Sequence, residues 1–226
     1  MRNILTLVLL AFFLLGSTSL RAASTNPTVL LQTNLGEFVI ELFPHEAPLT
    51  VKNFLENVDG DFYNGTIFHS VVPGFFIQGG GLTPDFSLKS PHAIIKNEAS
   101  NGLKNDAFMV SMVRATTNES AASQFFINMQ NNSALNANGK NPGYAVFGKV
   151  TEGLDVVEKI SLQPRGMYES FPEAPNFAVR ILKIIRIDPT TLPIELKTGA
   201  NVATSENAQS NTAPFQTNTA PMSAPQ

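Results

Sequence analysis

His69 and Ser70 stand side by side, and a histidine next to a serine invites a hydrolase reading. Adjacent residues of a strand point to opposite faces, however, and no Gly-x-Ser-x-Gly elbow surrounds this serine. The pair is therefore not read as a nucleophile and its base. Gly79, Gly80 and Gly81 suggest a phosphate loop, but no Lys-Ser/Thr follows and no helix start is evident. Close backbone packing after a strand is the better account of three glycines. His45, His69 and His92 lack metal-ligand spacing, so no metal is expected. With no cysteine in the chain, disulfides, thiolate zinc sites and cysteine nucleophiles are excluded. What remains is a set of phenylalanines with two amides among them. Gln78 and Gln124 interrupt apolar strands and need partners if buried. Phe125 and Phe126 must alternate across a strand, so they face opposite sides of it.

The elements that hold these residues are mostly short strands. Thr28 to Thr33 and Glu37 to Leu42 are β-rich around Asn34-Leu35-Gly36, which reads as a hairpin. Val51, Phe54, Leu55 and Val58 form the stripe of an amphipathic helix, with Pro48 in its first turn and Asp59-Gly60 at its end. Strands are expected over Ile67 to Val72, Phe75 to Gln78, Ala107 to Val113, Gln124 to Asn128, Ala145 to Val150 and Phe177 to Ile187. A short helix is expected over Leu154 to Ile160. The Asn-rich segment Met129 to Gly143 reads as a long loop, of the kind that often carries function. Many short strands with two helices imply a mostly-β barrel or sandwich.

The 226 residues suit one domain with appendages, and the net charge of −3 does not suggest a nucleic-acid binder. Arg2, the apolar run Ile4 to Leu15 and the small residues up to Ala22 and Ala23 read as a secretory signal peptide over 1–22. The run is too short to span a bilayer comfortably, which needs roughly 20 apolar residues. Cleavage after Ala22 removes Arg2 and Arg21 and takes the charge to −5. From Thr198 to Gln226 the chain is mostly Ala, Asn, Ser, Thr, Gln and Pro, a composition expected to stay disordered. The folded domain is then expected over 27–193. These features place the protein in the periplasm or outside the cell, touching a membrane only through its leader.

The segment from Phe68 to Gly81 resembles the signature of the cyclophilin family of peptidyl-prolyl cis-trans isomerases, which usually reads Phe-His-Arg-Val followed by Phe-x-Ile-Gln-Gly-Gly. Ala122 to Asn128 is similar to the family's Ser-Gln-Phe-Phe-Ile block, and Gly143 to Val150 to its Val-Phe-Gly-x-Val strand. Ile95 to Ala99 and Asn101 to Leu103 resemble bacterial secreted members. The resemblance implies a closed eight-stranded antiparallel barrel capped by two helices. It implies isomerisation of Xaa-Pro bonds in unfolded or proline-containing polypeptides, by a monomer without a cofactor.

That reaction transfers no proton between groups. A prolyl bond costs only about 0.5–1 kcal/mol to hold cis, but its rotation barrier is about 20 kcal/mol. A catalyst must grip the proline ring, fix the flanking backbone and favour the twisted amide, whose nitrogen becomes a hydrogen-bond acceptor. By resemblance, Phe75, Phe76, Met112, Phe126 and Leu135 line the apolar pocket, Gln78, Gln124 and Arg114 fix the backbone, and Tyr144 stands at a rim position where many members have His. With Phe126 in the pocket, Phe125 on the opposite face is expected in the core, and His69 is read as a positioning or structural residue at the same site.

Two positions depart from the family pattern. Ser70 occupies the place of the chief catalytic arginine. Loss of one preorganised donor costs roughly 2.7–4 kcal/mol, or 10²–10³ in rate. The catalytic set is then Ser70, Gln78, Phe75 and Phe126, working slowly. The alternative is a non-catalytic proline-peptide binding module or holdase that uses the same pocket. Ala134 stands where members carry Trp or Phe, which implies an open rim and weak binding of cyclosporin-type inhibitors.

Overall fold

The computed structural model describes residues 26–90, 93–114 and 121–188. The expected leader over 1–22 and tail over 198–226 lie outside the described residues. Eight strands occur in the order β1 (Thr28–Thr33), β2 (Gly36–Leu42), β3 (Ile67–Val72), β4 (Phe76–Leu82), β5 (Met109–Arg114), β6 (Ala121–Asn128), β7 (Val146–Glu152) and β8 (Val179–Ile187). Helix α1 (Pro48–Asp59) follows β2, and helix α2 (Leu154–Ser161) follows β7. The strands close into one barrel in the order β1-β2-β7-β5-β6-β4-β3-β8, all pairs antiparallel. Closure leaves no unpaired sheet edge.

The barrel interior is a single apolar cluster. Phe38, Phe54, Phe68, Phe125 and Phe147 are fully buried in it. Phe54 comes from α1 and meets Tyr63, Phe125 and Phe147 at centroid distances of 5.2, 5.8 and 5.1 Å. Val51, Leu55 and Val58 bury the same helix face, and Val157 and Ile160 do so for α2. The helical stripe legible in the sequence is thus the face that closes the core.

Helix α1 begins at Pro48, whose missing N–H costs nothing in the first turn. No residue of its own caps it. Glu98, some fifty residues away, does so instead, accepting from Leu49 N–H (3.1 Å), Thr50 N–H (2.8 Å) and Thr50 Oγ1 (2.7 Å). A carboxylate at a helix N-terminus satisfies orphan donors and complements the helix dipole.

Strand bounds shift where side chains are small. The expected strand over Phe75 to Gln78 begins at Phe76 and runs on through all three glycines to Leu82. These glycines lie within the strand rather than after it, and close approach explains them. A Cβ on Gly79 would lie 2.9 Å from Ile67 O, and one on Gly81 would lie 2.3 Å from Gln124 Cγ. Strand β6 begins three residues earlier than expected, at Ala121, because tertiary pairing of Ala121 with Arg114 overrides weak local propensity. The long loop contains one 3-10 turn, Ser133–Leu135.

Candidate active site: an aromatic groove beside Ser70

Strand register decides which candidate residues meet. Ser70 is opposite Gln78, Gln78 opposite Phe126, and Phe126 opposite Ser111. Directly opposed residues share a face of the sheet, so these four form one row across β3, β4, β6 and β5. The neighbouring row runs Phe68, Gly79, Phe125, Met112. Its three side chains are buried in the core. Phe125 is therefore internal, as expected.

Met112 requires a correction. It was expected in the pocket with Phe126, but it is 1% exposed, belongs to the core and pairs with Phe125. Its phase along β5 is that of the inner row, and a pocket residue there would have to sit at the position of Ser111.

The outer row carries an aromatic ladder. Phe75 packs on Phe76 (4.7 Å between centroids), Phe76 on Phe126 (5.7 Å), and Phe126 edge-on against Tyr144 (5.3 Å). The Arg114 guanidinium lies 5.1 Å from the centre of the Tyr144 ring, a cation–π distance. Leu135 sits on the 3-10 turn, and its carbonyl accepts from Tyr144 N–H at 3.0 Å. Ala134, just before it, is exposed, and its carbonyl accepts from Asn141 Nδ2 at 2.8 Å. The structure thus brings together Phe75, Phe76, Phe126, Tyr144 and Arg114, with Leu135 on the adjoining turn.

The polar side of the row is an amide pair. Gln78 Nε2 donates to Gln124 Oε1 at 2.9 Å and lies 3.4 Å from His69 Nε2. A β-bulge between Phe68 and Ser70 interrupts the alternation of β3, which lets the His69 ring reach Gln78. Strict alternation of His69 and Ser70 onto opposite faces is therefore lost at this bulge, but no hydrogen bond joins the two side chains. Burial pushes the His69 ring down to about 4, partly opposed by the Ile67 backbone. A neutral imidazole cannot stand in for a guanidinium, so the charge missing at Ser70 is not restored from His69.

A buried asparagine network, which sequence reasoning missed, holds the far wall. Asn132 Nδ2 donates to Phe75 O and to Asn128 Oδ1, both at 2.8 Å, and Asn132 N–H donates to Asn105 O at 2.7 Å. Asn105 Nδ2 donates to Leu135 O (3.1 Å) and Asn136 Oδ1 (3.0 Å), while Ser111 Oγ donates to Asn105 Oδ1 (2.7 Å). The network ties Phe75, the 3-10 turn and β5 into one frame. Its only sequence signal was the asparagine content of the loop.

An apolar groove edged by amides, with no acid–base pair among the described residues, suits gripping a ring and its backbone rather than bond cleavage. Comparison with known proteins supports that chemistry. The family model for cyclophilin type peptidyl-prolyl cis-trans isomerase/CLD matches residues 28–185. The chain belongs to the cyclophilin-type peptidyl-prolyl cis-trans isomerases. It is 48% identical over 162 residues to a peptidyl-prolyl cis-trans isomerase of Acinetobacter baylyi, covering 72% of this chain and 86% of that one. It is 42% identical over 188 residues to peptidyl-prolyl cis-trans isomerase A of Dickeya dadantii, covering 82% and 98%. Among solved structures, a cyclophilin-type isomerase of Cryptosporidium parvum is similar with a TM-score of 0.62 at 28% identity, covering 72% of this chain and 98% of that one. The same Cryptosporidium protein has a crystal structure in the presence of the dipeptide Ala-Pro, with a TM-score of 0.61 to this chain at 29% identity over 70% of this chain and 97% of that one. The protein is thus an enzyme of the prolyl isomerase class, on a cyclophilin barrel.

Proposed function

We propose that this cyclophilin isomerises Xaa-Pro bonds slowly, in unfolded polypeptides outside the cytoplasm. The observation that carries the rate is Ser70 opposite Gln78, with a neutral His69 beside it. The proline ring rests on Phe76 and Phe126, with Phe75, Leu135 and Tyr144 at the margins. Gln78, Gln124 and Arg114 hold the flanking backbone. The Ser70 hydroxyl is too short to cross the gap an arginine spans, so the twisted amide nitrogen lacks a strong donor. The enzyme acts as a monomer, needs no cofactor and binds no nucleic acid. The leader-like segment over 1–22 supports export, and the net charge supports a polypeptide client.

The same serine favours a second reading, a proline-peptide binding module or holdase in which isomerisation is negligible. The test is a titration of protein lacking residues 1–22 with an acylated Ala-Pro-Phe peptide, with isomer exchange followed by NMR. Shift changes at Phe76, Phe126 and Tyr144 with slow, catalysed exchange support the enzyme. The same shifts without catalysed exchange support the binding module. Exchange at ordinary family rates would overturn the slow-enzyme reading. Fractionation of the host cell tests the compartment, and a cytoplasmic pool alone refutes export.

A further inference from the structure

Gln78 has two N–H donors and one carbonyl acceptor. Both donors point to partners inside the site. One goes to Gln124 Oε1 at 2.9 Å, and the same nitrogen lies 3.4 Å from His69 Nε2. Nε2 of an amide can only donate, so His69 Nε2 must accept and the ring proton belongs on Nδ1. Nδ1 is buried and makes no hydrogen bond of ordinary geometry, so the contact of Nε2 with Gln78 is what sets the tautomer. Gln124 is itself lodged against β4, since a Cβ on Gly81 would lie 2.3 Å from its Cγ and 2.5 Å from its Nε2. The remaining atom of Gln78, Oε1, has no side-chain partner among the described residues, and Gln78 is half-buried.

We infer that His69 is a positioning residue that, with Gln124 lodged over Gly81, turns the Gln78 amide so that Oε1 faces the groove and accepts from a peptide N–H. The partner rests on the proposed function, whereas the relay itself rests on geometry alone. Its rival is the mirrored network, in which both amides are flipped, His69 donates from Nε2 and Gln78 presents N–H to a peptide carbonyl. The two differ in which atom of the ligand the site reads. An N–H-reading Gln78 recognises the backbone donor of a residue beside the proline. It also leaves the row from Ser70 to Phe126 without an amide donor for the proline nitrogen.

The experiment has two arms on the folded protein lacking residues 1–22. The first is the His69 tautomer by ¹⁵N NMR at neutral pH. The relay requires protonated Nδ1 and bare Nε2, and a proton on Nε2 overturns it whether or not any peptide binds. The second compares an acylated Ala-Pro-Phe peptide with two analogues in which the N–H of Ala or of Phe is replaced by an ester oxygen. One of these esters is expected to bind the native protein about three- to tenfold more weakly, the scale of one neutral hydrogen bond. That penalty disappears in Gln78→Ala, shrinks in His69→Phe and in Gly81→Ala, and returns in His69→Gln, which keeps an acceptor. Equal binding of both esters and the parent peptide refutes the N–H reading. Failure of every peptide to bind refutes the proposed function instead, and the tautomer still decides the relay. Thermal melts of each variant separate a folding defect from loss of orientation.

Discussion

Replacing Asn132 by alanine should cost the domain about 2–4 kcal/mol. Asn132 is 4% exposed, and its Nδ2 donates at 2.8 Å to both Phe75 O and Asn128 Oδ1. Phe75 O keeps a second donor, Met129 N–H at 2.9 Å, so it is not orphaned by the change. Asn128 Oδ1 is left without this donor in a fully buried place. Stranding a buried acceptor costs about 1–3 kcal/mol, and each lost hydrogen bond about 0.5–1.5 kcal/mol. The assay is urea unfolding, read as a fall in midpoint at unchanged slope. Asn132→Asp is the sharper control. It keeps the shape but puts an oxygen against Phe75 O and Asn128 Oδ1, and should cost more than alanine. Because the same amide holds the backbone of Phe75, both variants should also weaken prolyl-peptide binding. A loss under about 0.5 kcal/mol for Asn132→Ala, or an aspartate better tolerated than the alanine, would show that the network does not hold the groove wall.

Three further outcomes follow from other parts of the structure. Removing the remote helix cap with Glu98→Ala should cost about 1–2 kcal/mol, because Leu49 and Thr50 lose their acceptor. For a domain of this size that lowers the melting temperature by roughly 2–4 °C per kcal/mol, and an unchanged melt argues against the cap. His69 has an ordinary value of 6.5 and is pushed down to about 4 in the folded state. Its contribution is therefore fully present above pH 6.5, declines as pH falls through that window and is lost below about pH 4, at a cost on the order of 3 kcal/mol. The difference between native and His69→Phe unfolding curves isolates this slope from carboxylate titration, and parallel curves between pH 4 and 6.5 would contradict it. Finally, the exposed Ala134 offers no aromatic edge at the groove rim, so cyclosporin-type inhibitors should bind weakly, and sub-micromolar affinity by calorimetry would be the wrong result.

Much of the fold was legible because local and tertiary preferences agree. Thr28–Thr33 and Ile67–Val72 have the bounds read from β-branched and apolar runs, and the stripe of Val51, Phe54, Leu55 and Val58 is the buried face of α1. The errors arise where partners, not propensity, decide. Glycines 79–81 carry no strand signal, and the approach of Ile67, Phe125 and Gln124, with a φ of +82° at Gly80, explains them. Met112 was misplaced because its place in the pocket came from resemblance, whereas simple alternation along β5 puts Val110 and Met112 in the core and Ser111 opposite Phe126. The aromatic ladder was recoverable from ordered motifs. The hydrogen bonds of Asn132, Asn105 and Glu98 were not, since each joins segments tens of residues apart that share no periodicity.

The central claim is that a missing donor at Ser70, not a missing groove, limits the rate. Prolyl isomerisation of an acylated Ala-Pro-Phe peptide, measured by NMR exchange for the native protein and for Ser70→Arg side by side, tests it most directly. The account predicts similar peptide affinity and an exchange rate raised by about 10²-fold or more in the arginine variant, the scale of one restored transition-state donor. A native protein already as fast as the variant would contradict it, and would show that another group supplies the hydrogen bond to the proline nitrogen.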